Sequence, residues 1–163
     1  MRKLKVQLDS GAYTAHKKAI TIDIDAYAEF VKEHGDEYAG CFNLDSIGDA
    51  ETSYDNWKYL RKKGVDTIPI YHVGTEETYL TKYLKEADYI GIGAIANLDT
   101  TQRLLGLTHI WKTHLVDSKG MPKLKVHGLG LTAIPIMMKY PWYSVDSFTP
   151  VISAVWGSVL LPG

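Results

Sequence analysis

The chain has 163 residues, 45% of them hydrophobic, and 18 basic residues nearly balance 19 acidic ones for a formal net charge of −1. These totals fit one folded domain with a real core, and exclude a disordered chain, two ordinary domains and a strong positive field for nucleic acid. Cys41 is the only cysteine, which excludes a disulfide framework and a Cys-cluster zinc site, and no apolar run is long enough to span a bilayer.

Along the chain a short apolar run, a polar or glycine turn and a helical stretch recur. Leu4–Leu8 predicts the first strand. Asp25 then caps a helix in which Tyr27, Phe30 and Val31 share a face, and Gly35 stops it. Ala39–Leu44 predicts the second strand, and Ser53 caps a helix with Tyr54, Trp57 and Leu60 inward. After the third strand, Thr67–His72, Thr75 precedes Glu76 and Glu77, acids that suit a helix N-terminus. The buried stripe of that helix is Tyr79, Leu80, Tyr83 and Leu84. Tyr89–Ile95 is the fourth strand, and Asp99 with Gln102 forms a capping box before Leu104, Leu107, Ile110 and Trp111. Leu124–Leu129 is the fifth, followed from Thr132 by a helix that tolerates Pro135 in its first turn and ends near Pro141. Tyr143–Val145 and Ser158–Leu161 complete seven predicted strands.

Strands alternating with helices imply a parallel sheet, either open and doubly wound or closed as a (β/α) barrel. Gly91-Ile92-Gly93 matches the dinucleotide-binding fingerprint only in part, which weakens the open form. The expected fold is α/β, a (β/α)8 TIM-barrel-like single domain over residues 1–163. Closure normally takes eight strands in about 250 residues. The chain stops at Leu160-Leu161-Pro162-Gly163, so the C-terminal strand and helix of the barrel are expected to be missing.

Chemistry gathers where the apolar runs end. The ends read Asp9-Ser10-Gly11-Ala12-Tyr13, Leu44-Asp45, His72-Val73-Gly74, Gly91-Ile92-Gly93-Ala94, His127-Gly128-Leu129-Gly130 and Val145-Asp146-Ser147. An aspartate after a strand is often only a helix cap, and a lone histidine is more often a satisfied core residue. A parallel barrel, however, carries all these ends to one mouth. Glycines there let a flat ligand approach the backbone, Tyr13 can stack on it, one carboxylate can read ring N–H groups, and others can attack carbon or move protons. This inventory suits a nucleobase joined to a sugar.

In order and spacing these motifs resemble the guanine transglycosylase superfamily, the queuine and archaeosine tRNA-ribosyltransferases and their DNA-modifying relatives. The likeness is greatest to the short phage-type members and runs from Leu8 to Ser147. It implies exchange of guanine in nucleic acid, DNA or tRNA, for a 7-deazaguanine base through a covalent aspartyl intermediate. It implies Asp146 as nucleophile, Asp9 as general acid/base, Tyr13 as the stacking ring and Asp45 as reader of the guanine-like edge. His72 stands where the family usually has glutamine. Gly93 and Ala94 would present backbone to the base, and His127 with Gly128 would form the opposite wall. No cofactor is implied, and no metal, because the three-cysteine zinc site of the tRNA enzymes has no counterpart. The extended segment after their nucleophile is absent too, which turns the acceptor toward DNA. The expected location is the cytoplasm, a host's if the chain is viral, with no membrane partner, and an open barrel edge would invite a homodimer.

Two other readings stay open. Asp9, Asp45, His72, His127 and Asp146 could ligate a metal in a hydrolase barrel, although no His-x-His pair supports it. A truncated barrel could also be an inactive base-binding module. Cys41 reads as core, and His16, His34, His109 and His114 read as surface residues.

Overall fold

The computed structural model describes residues 6–94, 99–131 and 133–146. Among the described residues six strands alternate with helices: β1 Gln7–Leu8, β2 Gly40–Cys41, β3 Ile70–Val73, β4 Tyr89–Ala94, β5 Lys125–Leu129 and β6 Ser144–Val145. The helices are α1 Ala12–Lys18, α2 Ile24–His34, α3 Ala50–Lys62, α4 Glu77–Glu86, α5 Thr100–Ile110 and α6 Ile134–Lys139. A π-helical turn, Trp111–Leu115, continues α5. Among the described residues no helix is long and apolar enough to cross a membrane.

All strand pairs are parallel. β1 pairs with β2, and β3, β4, β5 and β6 form a four-stranded sheet in chain order. A single parallel bridge, Phe42 to Ile68, joins the two sheets; Asn43 N–H donates to Ile68 O and Ile68 N–H to Cys41 O, each at 2.8 Å. The fold is thus mixed α/β with two-stranded and four-stranded parallel sheets. The order never reverses among the described residues, so it has no switch point of the doubly wound kind. Six of the seven predicted strands are observed, most of them shorter than the apolar runs, and Ser158–Leu161 lies outside the described residues. Eight-stranded closure is not seen among the described residues.

Strand alternation sorts the side chains. Tyr71, Val73, Ile90, Ile92 and Val126 pack under the helices with Trp57, Leu80, Tyr83, Leu107 and Trp111 in the main core. The opposite face carries a small cluster, Phe42, Ile68 and Ile70 with Tyr89 and Leu129. A third cluster, including Tyr27, Val31, Cys41, Leu44 and Leu60, seats α2 and α3 against β2. Cys41 is buried there, as its apolar run predicts.

The helix starts differ from expectation in instructive ways. Asp23, not Asp25, caps α2; its backbone is extended, and its carboxylate accepts from Asp25 N–H at 2.8 Å and Ala26 N–H at 3.4 Å. Asp49, not Ser53, caps α3 by accepting from Thr52 N–H at 2.9 Å. Ser53 lies one turn inside α3, buried, where its hydroxyl accepts from Ser46 N–H at 2.8 Å. Several Asp and Ser residues near each start could cap, and backbone extension selects among them. The Asp99–Gln102 capping box forms as predicted. α6 holds Pro135 in its first turn, while Thr132 lies outside the described residues. α1 was not anticipated: it is seven residues long, buries only Ala12, and so shows no apolar stripe.

Candidate active site at the strand ends

The carboxyl ends of the strands bring the sequence-selected acids together. Asp9 follows β1, Asp45 follows β2, and Asp146 follows β6. Asp9 feels the negative charge of both Asp45 and Asp146. Its carboxyl is held above the ordinary carboxylate range, first by burial and then by these two charges, against a bond from the Gly11 N–H. Asp146 is held below that range. Burial opposes its ionisation, but the His127 ring and the Gly130 N–H, which donates to Oδ1, outweigh it.

The two histidines serve different carboxylates. His72 Nε2 lies 2.9 Å from Asp45 Oδ2, and both residues are buried. Ser10 Oγ donates to the other Asp45 oxygen over a long 3.5 Å, which leaves acceptor capacity on that oxygen. Gly93 makes room for the imidazole: a Cβ there would stand 2.6 Å from His72 Cδ2. His72 therefore pairs with Asp45, the residue that the resemblance places at the guanine-like edge.

His127 is almost fully buried, and its Nε2 lies 3.6 Å from Asp146 Oδ2, longer than a hydrogen bond. Its Nδ1 is 2.8 Å from Ser144 Oγ, which is 2.8 Å from Tyr89 Oη, which accepts from Gln7 Nε2 at 2.6 Å. Sequence reading missed Gln7, Tyr89 and Ser144, because each sits inside an apolar run and gains a partner only across strands. The Gln7 amide N–H can only donate, so the Tyr89 and Ser144 hydroxyls have their protons free to pass toward His127 Nδ1. With both hydroxyls donating in that direction, the His127 proton sits on Nε2, the nitrogen nearer Asp146.

The other selected residues are less involved. Tyr13 is exposed on α1, with the Lys17 ammonium 4.5 Å from its ring centroid. Gly128 leaves room for Leu131 and Trp142: a Cβ there would stand 2.4 Å from Leu131 Cδ1. Ala94 ends β4 opposite Val73.

The four histidines read as surface residues divide. His16 is exposed and His34 is half-buried beside Glu37. His109 and His114 both meet Glu77, and His114 is mostly covered. This trio is the group among the described residues whose ligand atoms lie close enough together for one metal ion; the strand-end acids and histidines make no such group there. No protein-family model, curated protein or solved structure matches this chain.

Proposed function

We propose that the chain is a base-exchanging transglycosylase that replaces guanine in nucleic acid with a 7-deazaguanine, built on the wall of a (β/α)8-type barrel. The observation that carries this reading is the pair Asp9 and Asp146: two carboxylates at the ends of β1 and β6, close enough for Asp9 to sense the charge of Asp146, whose surroundings move their proton affinities in opposite directions. Such a split is what acid and nucleophile roles require. Consecutive parallel order supports the barrel, since a wall wound in one direction keeps every strand end on one rim.

In this mechanism the ionised Asp146 attacks C1′ of a guanosine. The C1′–N9 bond breaks, its electron pair leaves with guanine, and the protonated Asp9 supplies the proton to the departing base. An Asp146–C1′ ester to the nucleic acid remains. The deazaguanine then gives its N9 proton to Asp9, its nitrogen attacks C1′, and Asp146 leaves as carboxylate. Asp45, steadied by His72, accepts the N–H groups of the guanine-like edge. His127, with its Nε2 proton toward Asp146, favours the ionised nucleophile. A base in duplex DNA must first be flipped out, at about a few kcal/mol.

Base exchange tests the proposal. Labelled guanine and 7-deazaguanine bases are offered with tRNA, duplex DNA or single-stranded DNA. Incorporation by this chain and none by Asp146→Asn is the expected result, and the polymer that accepts label identifies the acceptor. A folded protein that incorporates neither base into any polymer overturns it.

A further inference from the structure

We propose that Glu77, His109 and His114 form a second site, which binds one divalent transition-metal ion of the zinc class. His109 Nε2 lies 2.9 Å from Glu77 Oε1, and His114 Nε2 lies 2.8 Å from Oε2. All three ligand atoms fall within 4.8 Å of one another. Around a tetrahedral ion with bonds near 2.0–2.2 Å, ligand atoms stand about 3.3 Å apart. Small side-chain rotations therefore suffice to admit an ion, each Nε2 exchanging its proton for the metal.

The convergence has a specific cause in the backbone. His109 and His114 are five residues apart, which an α-helix would place about 140° apart around its axis. The turn Trp111–Leu115 is π-helical. Its wider winding carries His114 back toward the side of His109, which lies in the last turn of α5. Isolated π turns of this kind occur often at functional sites. Glu77 is the first residue of α4, and Gly106 lets α5 lie hard against β3, because a Cβ there would stand 2.5 Å from Val73 Cγ1. Three separate local features thus deliver one ligand set.

A cavity of about 250 Å³ borders Glu77 and His109 and is lined also by Tyr71, Thr75 and Gln102. It leaves space for water or a small ligand at the remaining coordination positions, as in open sites with two histidines and a glutamate. Two imidazoles and one carboxylate favour zinc-like ions over magnesium or calcium, which take oxygen ligands. Thr75, on the wall of this cavity, donates its hydroxyl to the His72 carbonyl at 2.8 Å.

Cobalt titration of the full chain, after chelator treatment, is the test. One equivalent of Co2+ is expected to give saturable visible absorption of low symmetry, displaced by Zn2+ and unaffected by Mg2+. Glu77→Gln and His114→Ala are each expected to weaken binding by at least about 100-fold, since even supporting partners of metal ligands contribute up to that much. The exposed His109→Ala gives a third variant if His114→Ala fails to fold, and Asp146→Asn is expected to bind as the wild type does. No saturable band from folded protein overturns the proposal, as does a band retained in the His109→Ala/His114→Ala double variant. Loss of the band in Asp146→Asn alone would likewise overturn it by placing the ion at the strand ends. Base exchange is not needed for any of these readouts.

Discussion

At the strand ends three carboxylates share two imidazoles, whereas between α4 and α5 one carboxylate serves two. The difference in ratio changes the chemistry. Asp9 is held above its ordinary range by burial and then by the charges of Asp45 and Asp146, while Asp146 is held below its own by the His127 ring and the Gly130 N–H against burial. With imidazoles in excess, Glu77 is held below its ordinary range by the bonds from His114 and His109, and three nitrogen and oxygen atoms converge with nothing left to separate. The first arrangement sets two carboxyls apart in proton affinity. The second is shaped to exchange protons for a cation.

The largest expected effect breaks the first region and spares the second. Asp146→Asn should lower base exchange by about 10⁴-fold or more, as loss of a covalent nucleophile does, while cobalt binding stays unchanged. Asp9→Asn should cost about 10²–10⁴-fold, the usual worth of a general acid, and should alter the pH profile. Exchange needs Asp146 ionised and Asp9 protonated. The wild-type rate should therefore fall toward acid as Asp146 gains its proton, and toward alkali as pH rises through the raised Asp9 value. A profile of Asp9→Asn that keeps the alkaline limb would remove Asp9 from the acid role.

The same shifts predict stability with opposite signs. A carboxyl whose folded pKa is raised contributes stability below its unfolded pKa and loses it as pH rises through the folded one. A carboxyl whose folded pKa is lowered contributes above its unfolded pKa and loses it as pH falls. At neutral pH, Asp9→Asn should raise the urea midpoint and Asp146→Asn should lower it. Equal midpoints for both variants would mean that the two carboxyls are not shifted in opposite directions.

Smaller effects sharpen the comparison. Gly93→Ala should destabilise by about 1–3 kcal/mol in urea, the range for overpacking, because the new methyl meets the His72 ring. Its exchange rate should fall with the displaced Asp45 partner, whereas Gly106→Ala should instead weaken cobalt binding by displacing α5. Ser144→Ala should reduce exchange by about tenfold, comparable to one hydrogen bond of about 1.4 kcal/mol. Unchanged exchange in Ser144→Ala would mean that the Tyr89–Ser144–His127 chain does not orient the proton facing Asp146.

Asp9, Asp45, His72 and Asp146 were legible because each follows or ends an apolar run, His127 because it interrupts one, and parallel strands bring their carboxyl ends to one side. The alternation of β3, β4 and β5 and the Asp99–Gln102 cap were legible for the same kind of reason: period and capping are local properties. Partnership was not local. That His72 holds Asp45, that Gly128 faces Leu131, and that Gln7, Tyr89 and Ser144 link to His127 depend on which side of each strand meets which neighbour. The trio on α4 and α5 was least visible of all, because spacing by five places His109 and His114 apart on an ordinary helix. By itself the sequence determined the alternation of strands and helices and the kinds of group at the strand ends. Only the tertiary structure decided which groups touch, because contacts across strands and a π turn arise from packing between segments far apart in the chain.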